Sequence, residues 1–391
     1  MNRVPAIRFG GFTDPWEQRK LGEVVDVYDG VHQTPDYQDR GVMFVSVEDI
    51  ETLESEKYIS KKDYERDYKI RPSIGDVLMT RIGDIGTSNV VKTNNELAFY
   101  VSLALLKPRS IESYFLNSAI RSSFFQSGLQ ERTLVTAIPK KINKNEIGVV
   151  DILLPIDIEE QQQIGALFRS LDSLITLHQR KYDKLRAVKK SMLDKMFPKP
   201  GELFPEIRFE GFTDPWEQRK FSDLAERRGH FSYDPVLPRV EYEDIVSGQG
   251  ALNKDVTKKR DERGGIVFES NDVLYGKLRP YLRNWLNPQF TGIALGDFWV
   301  LNPINVESGF LFSLIQTPAF ERVANESVGT KMPRADWQNV SNMELATPLS
   351  RKEQTALSAL FRNLDSLITL HQRKLELLKN VKKSLLDKMF V

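Results

Sequence analysis

The feature that most constrains this chain is a duplicated stretch of 31 residues. Leu167 to Phe197, LFRSLDSLITLHQRKYDKLRAVKKSMLDKMF, returns as Leu360 to Phe390, LFRNLDSLITLHQRKLELLKNVKKSLLDKMF, at an offset of 193 with 24 identical positions. A repeat on this scale dictates architecture before any single residue does. In the first copy Ile164, Leu167, Leu171, Leu174, Leu185, Val188 and Met192 fall on heptad a and d positions. In the second, Leu357, Leu360, Leu364, Leu367, Leu378, Val381 and Leu385 do the same. Apolar residues at that spacing, with Gln, Arg, Lys and Asp between them, predict a long helix carrying a coiled-coil seam. No proline interrupts either copy. A helix from Glu159 to Met196 is ~57 Å long at 1.5 Å per residue.

Both seams turn polar at their middle, with His178 and Lys181 in one copy and His371 and Lys374 in the other. Antiparallel pairing with His178 opposite Lys374 gives the layers Leu167–Leu385, Leu171–Val381, Leu174–Leu378, Leu185–Leu367, Val188–Leu364 and Met192–Leu360 around that centre. A slip of one heptad sets the polar residues against Leu or Val, at roughly 1–3 kcal/mol for each buried group left unpaired. His178, Lys181, His371 and Lys374 are therefore expected to fix register. The alternative is that they snorkel out of a loose seam.

At 391 residues two or three domains are expected. The net charge of +1 makes any basic surface a local one. The absence of cysteine excludes disulfides and thiolate metal sites and suits a reducing cytoplasm. No apolar run is long enough to span a membrane, and the first residues, MNRVPAIRFGGFTD, lack the apolar core of a signal peptide. The expectation is a soluble cytoplasmic protein.

A second repeat opens each half. Pro5 to Lys20, PAIRFGGFTDPWEQRK, recurs as Pro205 to Lys220, PEIRFEGFTDPWEQRK, at an offset of 200 with two differences. The chain reads as two tandem units, each a lead-in, a globular stretch of about 140 residues and a long helix. The Pro and Gly cluster from Phe197 to Gly201 ends the first helix. The expected divisions are 1–157, 158–199, 200–349 and 350–391. In the globular stretches, strand-like segments are expected at Val47 to Ile50 and Tyr242 to Ile245, then at Asp76 to Met79 and Asp272 to Tyr275. β-branched and aromatic runs follow at Leu97 to Leu106 and Ile293 to Leu301, then helical stretches at Ile111 to Ser127 and Val306 to Asn325. Without regular βαβ alternation these read as α+β domains.

Connectivity then implies an antiparallel helix pair related by a pseudo-two-fold axis, with a different globular domain at each end. Two dissimilar heads on a near two-fold frame suit a bipartite target. DNA fits, because paired half-sites lie roughly 34–36 Å apart.

The lead-in IRFxGFTDPWEQRK, the pairs Glu160-Gln161 and Glu353-Gln354, and the core LFxxLDxLITLHQRK together resemble the specificity subunit of type I restriction–modification systems. The resemblance covers the whole chain and finds both motifs twice in the same order. It implies two target-recognition domains, roughly 18–157 and 218–350, each reading one half of a split double-stranded DNA sequence, with the helices as spacer. It further implies docking of two methyltransferase subunits and recruitment of motor-nuclease subunits. Catalysis, S-adenosylmethionine, ATP and Mg²⁺ would then belong to those partners.

The residues agree that catalysis lies elsewhere. No GxxxxGK[ST] phosphate loop is present. Asp14-Pro15-Trp16-Glu17 and Asn287-Pro288-Gln289-Phe290 superficially resemble an adenine-methyltransferase motif of the form [DN]PP[YF], but both lack its second proline. The acidic cluster Glu48, Asp49 and Glu51 reads as solvated charge rather than a metal site, and the four histidines offer no catalytic constellation.

Bases are read mainly by Arg, Lys, Asn and Gln, while other cations hold phosphates. In the first domain the candidates are Arg81, Lys140, Lys141 and Lys144, with Gly83 and Gly86 allowing close backbone approach. In the second they are Lys277, Arg279, Lys331 and Arg334. The two sets fall at like places in the two units. On the helices, Gln179, Arg180 and Lys181 recur as Gln372, Arg373 and Lys374, and Lys189-Lys190 as Lys382-Lys383, consistent either with equal docking surfaces or with simple duplication. Two rival classes are a self-contained methyltransferase, opposed by the missing motifs, and a coiled-coil adaptor that never touches DNA.

Overall fold

The strand Val77–Thr80 is buried along its whole length, and its alternation explains the architecture of the first unit. Val77 and Met79 point into one apolar cluster, Leu78 into another. A strand buried on both faces reads as a continuous apolar run rather than an alternating one. Strand Val273–Gly276 repeats this, with Val273 and Tyr275 on one side and Leu274 on the other.

The computed structural model describes residues 4–259, 261–326 and 331–390. They form two units, residues 1–177 with 375–391, and residues 178–374. Each unit therefore takes part of both long helices, Ile158–Lys195 and Arg351–Met389.

In unit one, strands Val25–Asp29, Leu103–Pro108, Val77–Thr80 and Ser88–Val90 form an antiparallel sheet in that order. A second sheet sets Val42–Val45 between Tyr58–Ile59 and a parallel neighbour, Leu97–Phe99. Unit two has the order Ala225–Arg227, Phe298–Pro303, Val273–Gly276, Trp285–Leu286. Its second sheet runs Phe231–Ser232, Gly265–Phe268, Gly292–Ala294, Arg239–Val240, the last pair parallel. The two helical stretches each resolve into a pair: Ser113–Ile120 with Ser123–Glu131, and Ser308–Leu314 with Pro318–Ala324.

Val47–Asp49 and Tyr242–Asp244 are not strands but single 3-10 turns. The backbone N–H of Ser46 donates to the Asp49 carboxylate at 2.8 Å, and that of Glu241 to Asp244 at 3.0 Å. A carboxylate that satisfies a nearby N–H competes with strand pairing, and here it wins.

The lead-in motif is structural. In each unit its EQRK segment pairs antiparallel with the last strand before the long helix, Glu17–Lys20 with Asp151–Leu154 and Glu217–Lys220 with Glu344–Thr347. Arg8 donates from Nε and Nη2 to the two Glu160 oxygens at 2.6 and 2.7 Å, and Trp16 Nε1 reaches Oε1 at 3.4 Å. Arg208, Trp216 and Glu353 repeat the arrangement at 2.7, 2.9 and 3.1 Å. Gln161 accepts from the Glu112 N–H and donates to the Pro155 carbonyl, and Gln354 does likewise with Glu307 and Pro348. Bidentate guanidinium–carboxylate bonding of this kind fixes orientation as well as charge. The resemblance of Asp14-Pro15-Trp16-Glu17 to a catalytic motif ends here, since the Trp16 ring is core.

Within each unit the helix segments pair antiparallel. In unit one, Phe168 packs against Phe390, and Asp172 accepts from Lys382. In unit two, Phe197 packs against Phe361, and Lys189 donates to Asp365 at 2.5 Å and to Gln316 at 2.7 Å. The buried face is wider than an a/d seam. Phe168 and Phe361 lie off the seam yet are fully buried against their own domains, while the seam residues Leu174 and Leu367 are each 43% exposed. A helix that packs on a domain as well as on a partner helix needs that broader apolar stripe.

Candidate nucleic-acid interface

In unit one the segment that leaves strand Val77–Thr80 meets the loop that follows Ser123–Glu131. The Ile142 N–H donates to the Arg81 carbonyl at 3.0 Å and the Gly83 N–H to the Lys140 carbonyl at 2.8 Å, making a bridge between Ile82 and Lys141. Unit two builds the same bridge between Leu278 and Arg334. There the Ala335 N–H donates to Lys277 and the Arg279 N–H to Pro333, both at 2.8 Å. The expected residues thus share positions, with Lys277 in place of Arg81, Arg279 in place of Gly83 and Arg334 in place of Lys141.

Their surroundings differ. Arg81 is only 6% exposed. It forms an ion pair with Asp29 and donates from Nε to the Ile142 carbonyl at 3.0 Å. Burial turns the guanidinium inward, so Arg81 clamps the bridge rather than reaching outward. Lys140, Lys141 and Lys144 are exposed and make no ion pair among the described residues. In unit two Asp297 lies beside Lys277 at 3.7 Å and Arg334 at 3.1 Å. Arg279 and Lys331 are exposed without an ion pair among the described residues. Residues 329 and 330, which precede Lys331 in the loop, lie outside the described residues.

Backbone geometry singles out Arg279. Gly83 has φ of 82°, and Arg279, at the same place, holds φ of 51°. The left-handed region costs an L-residue roughly 1–2 kcal/mol, which glycine at this position avoids. Tyr242 supports the turn, donating to the Asp297 carbonyl at 2.6 Å and accepting from the Leu278 N–H at 3.3 Å. Burial pushes its hydroxyl up to about 12.

Other readings from the sequence find structural uses. Asn287 donates to the Asp272 carbonyl at 2.9 Å and to Ser308 at 2.9 Å. Glu48 pairs with Lys57 at 3.0 Å, and no group of three or more metal-ligating side chains occurs among the described residues. His178 and His371 meet each other, Nδ1 to Nδ1 at 2.8 Å, rather than each facing a lysine, and Lys181 and Lys374 are exposed. Lys189 and Lys382, expected on an outward surface, point inward to Asp365 and Asp172. Their recurrence therefore has a packing reason. Burial pushes the Asp365 carboxyl above its ordinary range, and burial together with Arg121 lowers Lys382. Arg180, Lys190, Arg373 and Lys383 remain exposed.

Sequence reasoning missed the counterions Asp29 and Asp297, which lie far from the cations in the chain. It also missed the apolar tip beside Lys140, where Leu134, Val135 and Ile138 are exposed. The available signal was a run of aliphatic residues in a loop free of acidic ones.

No helix among the described residues is long and apolar enough to cross a membrane. Residues 13–187 match the family described as type I restriction modification DNA specificity domain. The chain is 23% identical to the type I restriction enzyme MjaVIII specificity subunit of Methanocaldococcus jannaschii, over 67% of this chain and 66% of that one. It is 25% identical to the type I restriction enzyme EcoDI specificity subunit of Escherichia coli, over 78% and 75% of the two chains. In fold it resembles the crystal structure of the type I restriction–modification S subunit from M. genitalium, with a TM-score of 0.65, 12% identity and 99% of both chains covered. With both repeats, the duplicated domain and the paired helices in place, the chain is similar to the specificity subunits of type I restriction–modification systems, and residues 13–187 match their DNA specificity domain.

Proposed function

We propose that this chain recognises DNA sequence for a type I restriction–modification complex, and that each unit reads one half of a bipartite double-stranded site through its bridged loop. The observation that carries this reading is the bridge itself. One backbone frame, Ile82 with Lys141 and Leu278 with Arg334, is built twice and dressed with different side chains. That is the form expected of two readers of different half-sites. Lys140, Lys141, Lys144, Arg279 and Lys331 face the DNA; Lys277 and Arg334, neutralised in part by Asp297, take the inner positions, and Arg81 positions the unit-one loop. The helices hold the units at a set spacing, and their exposed repeated cations, Arg180 with Arg373 and Lys190 with Lys383, meet two methyltransferase subunits. Motor-nuclease subunits complete a restriction complex in the cytoplasm. S-adenosylmethionine, ATP and Mg²⁺ act on those partners, and this chain is a recognition subunit rather than an enzyme.

Methylome sequencing of cells carrying the chain and its methyltransferase tests this directly. A two-part methylated motif is expected, and exchange of residues 218–350 for those of a relative changes one half only. Change of both halves, or of neither, refutes the assignment. In vitro, Lys140→Gln with Lys141→Gln should weaken binding to all sequences and flatten the log–log salt dependence by about 0.9 for each phosphate no longer neutralised. An unchanged slope removes these lysines from the interface.

A further inference from the structure

The loop of residues 134–141 is anchored at both ends and apolar at its tip. The Leu134 N–H donates to the Lys141 carbonyl at 2.8 Å, closing the loop on itself, and the Ala137 N–H turns back to the Leu134 carbonyl at 3.4 Å. Lys140 is held to Gly83, and Ile142 to the buried Arg81. On this fixed base Val135 is 67% exposed and Ile138 99% exposed. From Thr133 to Asn145 the chain has three lysines and no acidic residue. In unit two Met332, beside Lys331 at the matching bridge, is 54% exposed.

Single exposed apolar residues are ordinary. An anchored tip that shows two aliphatic side chains just ahead of three lysines is not explained by solvation, since turn chemistry favours Gly, Asn, Asp and Ser. The patch is also far smaller than the roughly 800 Å² per partner of a stable protein interface. A base-pair step, by contrast, accepts a single aliphatic wedge, and neighbouring cations hold the adjacent phosphates.

We infer that Ile138, backed by Val135, inserts against a base-pair step of the unit-one half-site and partly unstacks it, so that this unit reads deformability as well as base edges. The inference rests on the reading above that this loop lies on DNA. Its test uses the full chain in complex with its methyltransferase. The duplexes carry 2-aminopurine at successive positions of the half-site other than the methylated adenine. With the native chain, fluorescence rises several-fold at one step. Ile138→Ser abolishes that rise at saturating protein and costs roughly tenfold in affinity, the scale of one mismatched pair, whereas Ile138→Leu retains it. Lys140→Gln with Lys141→Gln lowers affinity but keeps the rise once binding is saturated. A rise that survives Ile138→Ser overturns the wedge while leaving the DNA-binding reading intact. If Ile138→Ser instead weakens only methyltransferase assembly, the tip is a protein contact and the wedge is overturned. If the lysine changes leave affinity and salt slope untouched, the loop is not on DNA and both readings fall.

Discussion

Removing the carboxylate of Glu160 should loosen one unit and spare the other. Glu160 is fully buried and takes two charge-assisted bonds from Arg8, whose side chain is itself 11% exposed. Glu160→Gln keeps the shape and one acceptor but leaves the guanidinium without its counter-charge, with Arg8 Nη1 already unpartnered. Breaking a buried pair by removing one partner costs about 3–5 kcal/mol, and the slight exposure of Arg8 favours the lower end. At about 1.4 kcal/mol per decade, 3 kcal/mol raises local opening roughly a hundredfold. Hydrogen exchange followed by mass spectrometry should show this in peptides covering 5–20 and 150–165, with peptides covering 205–220 and 343–358 unchanged. Glu353→Gln should give the mirror result. Replacing both partners, Arg8→Met with Glu160→Met, should recover most of the loss, because two apolar side chains carry no unpaired charge. A rise under threefold for Glu160→Gln, or an equal rise in both units, would refute the clamp.

Two further outcomes follow from the same geometry. Burial, then His178, Lys181 and Lys374, holds the His371 imidazole below its ordinary 6.5, so the fold prefers the neutral ring. The stability this contributes is present above pH 6.5 and is lost as pH falls through the lower folded value. Thermal melts from pH 7.5 to 5 should therefore fall on the acid side, and His371→Gln should flatten that dependence; a melt that rises on acidification contradicts it. Arg279→Gly should relieve the left-handed backbone, raising stability by about 0.5–1 kcal/mol, while lowering DNA affinity and the salt slope. Stabilisation without loss of binding would remove Arg279 from the interface.

Much of the frame was written in local pattern. Heptad spacing at Leu167, Leu171, Leu360 and Leu364 set the helices, and the two offsets announced the duplication, because periodicity is a property of neighbouring residues. The positions of the candidate loops were legible for the same reason, by laying one unit over the other. The roles of individual polar residues were not. Arg81 and Lys189 read as surface cations, yet Asp29 lies 52 residues from one and Asp365 lies 176 from the other. The Arg8 and Trp16 motif acquires its meaning only beside Glu160, 152 and 144 residues on. Whether a charge meets water or a buried partner depends on which distant segments pack together, and that was decided by the tertiary structure alone.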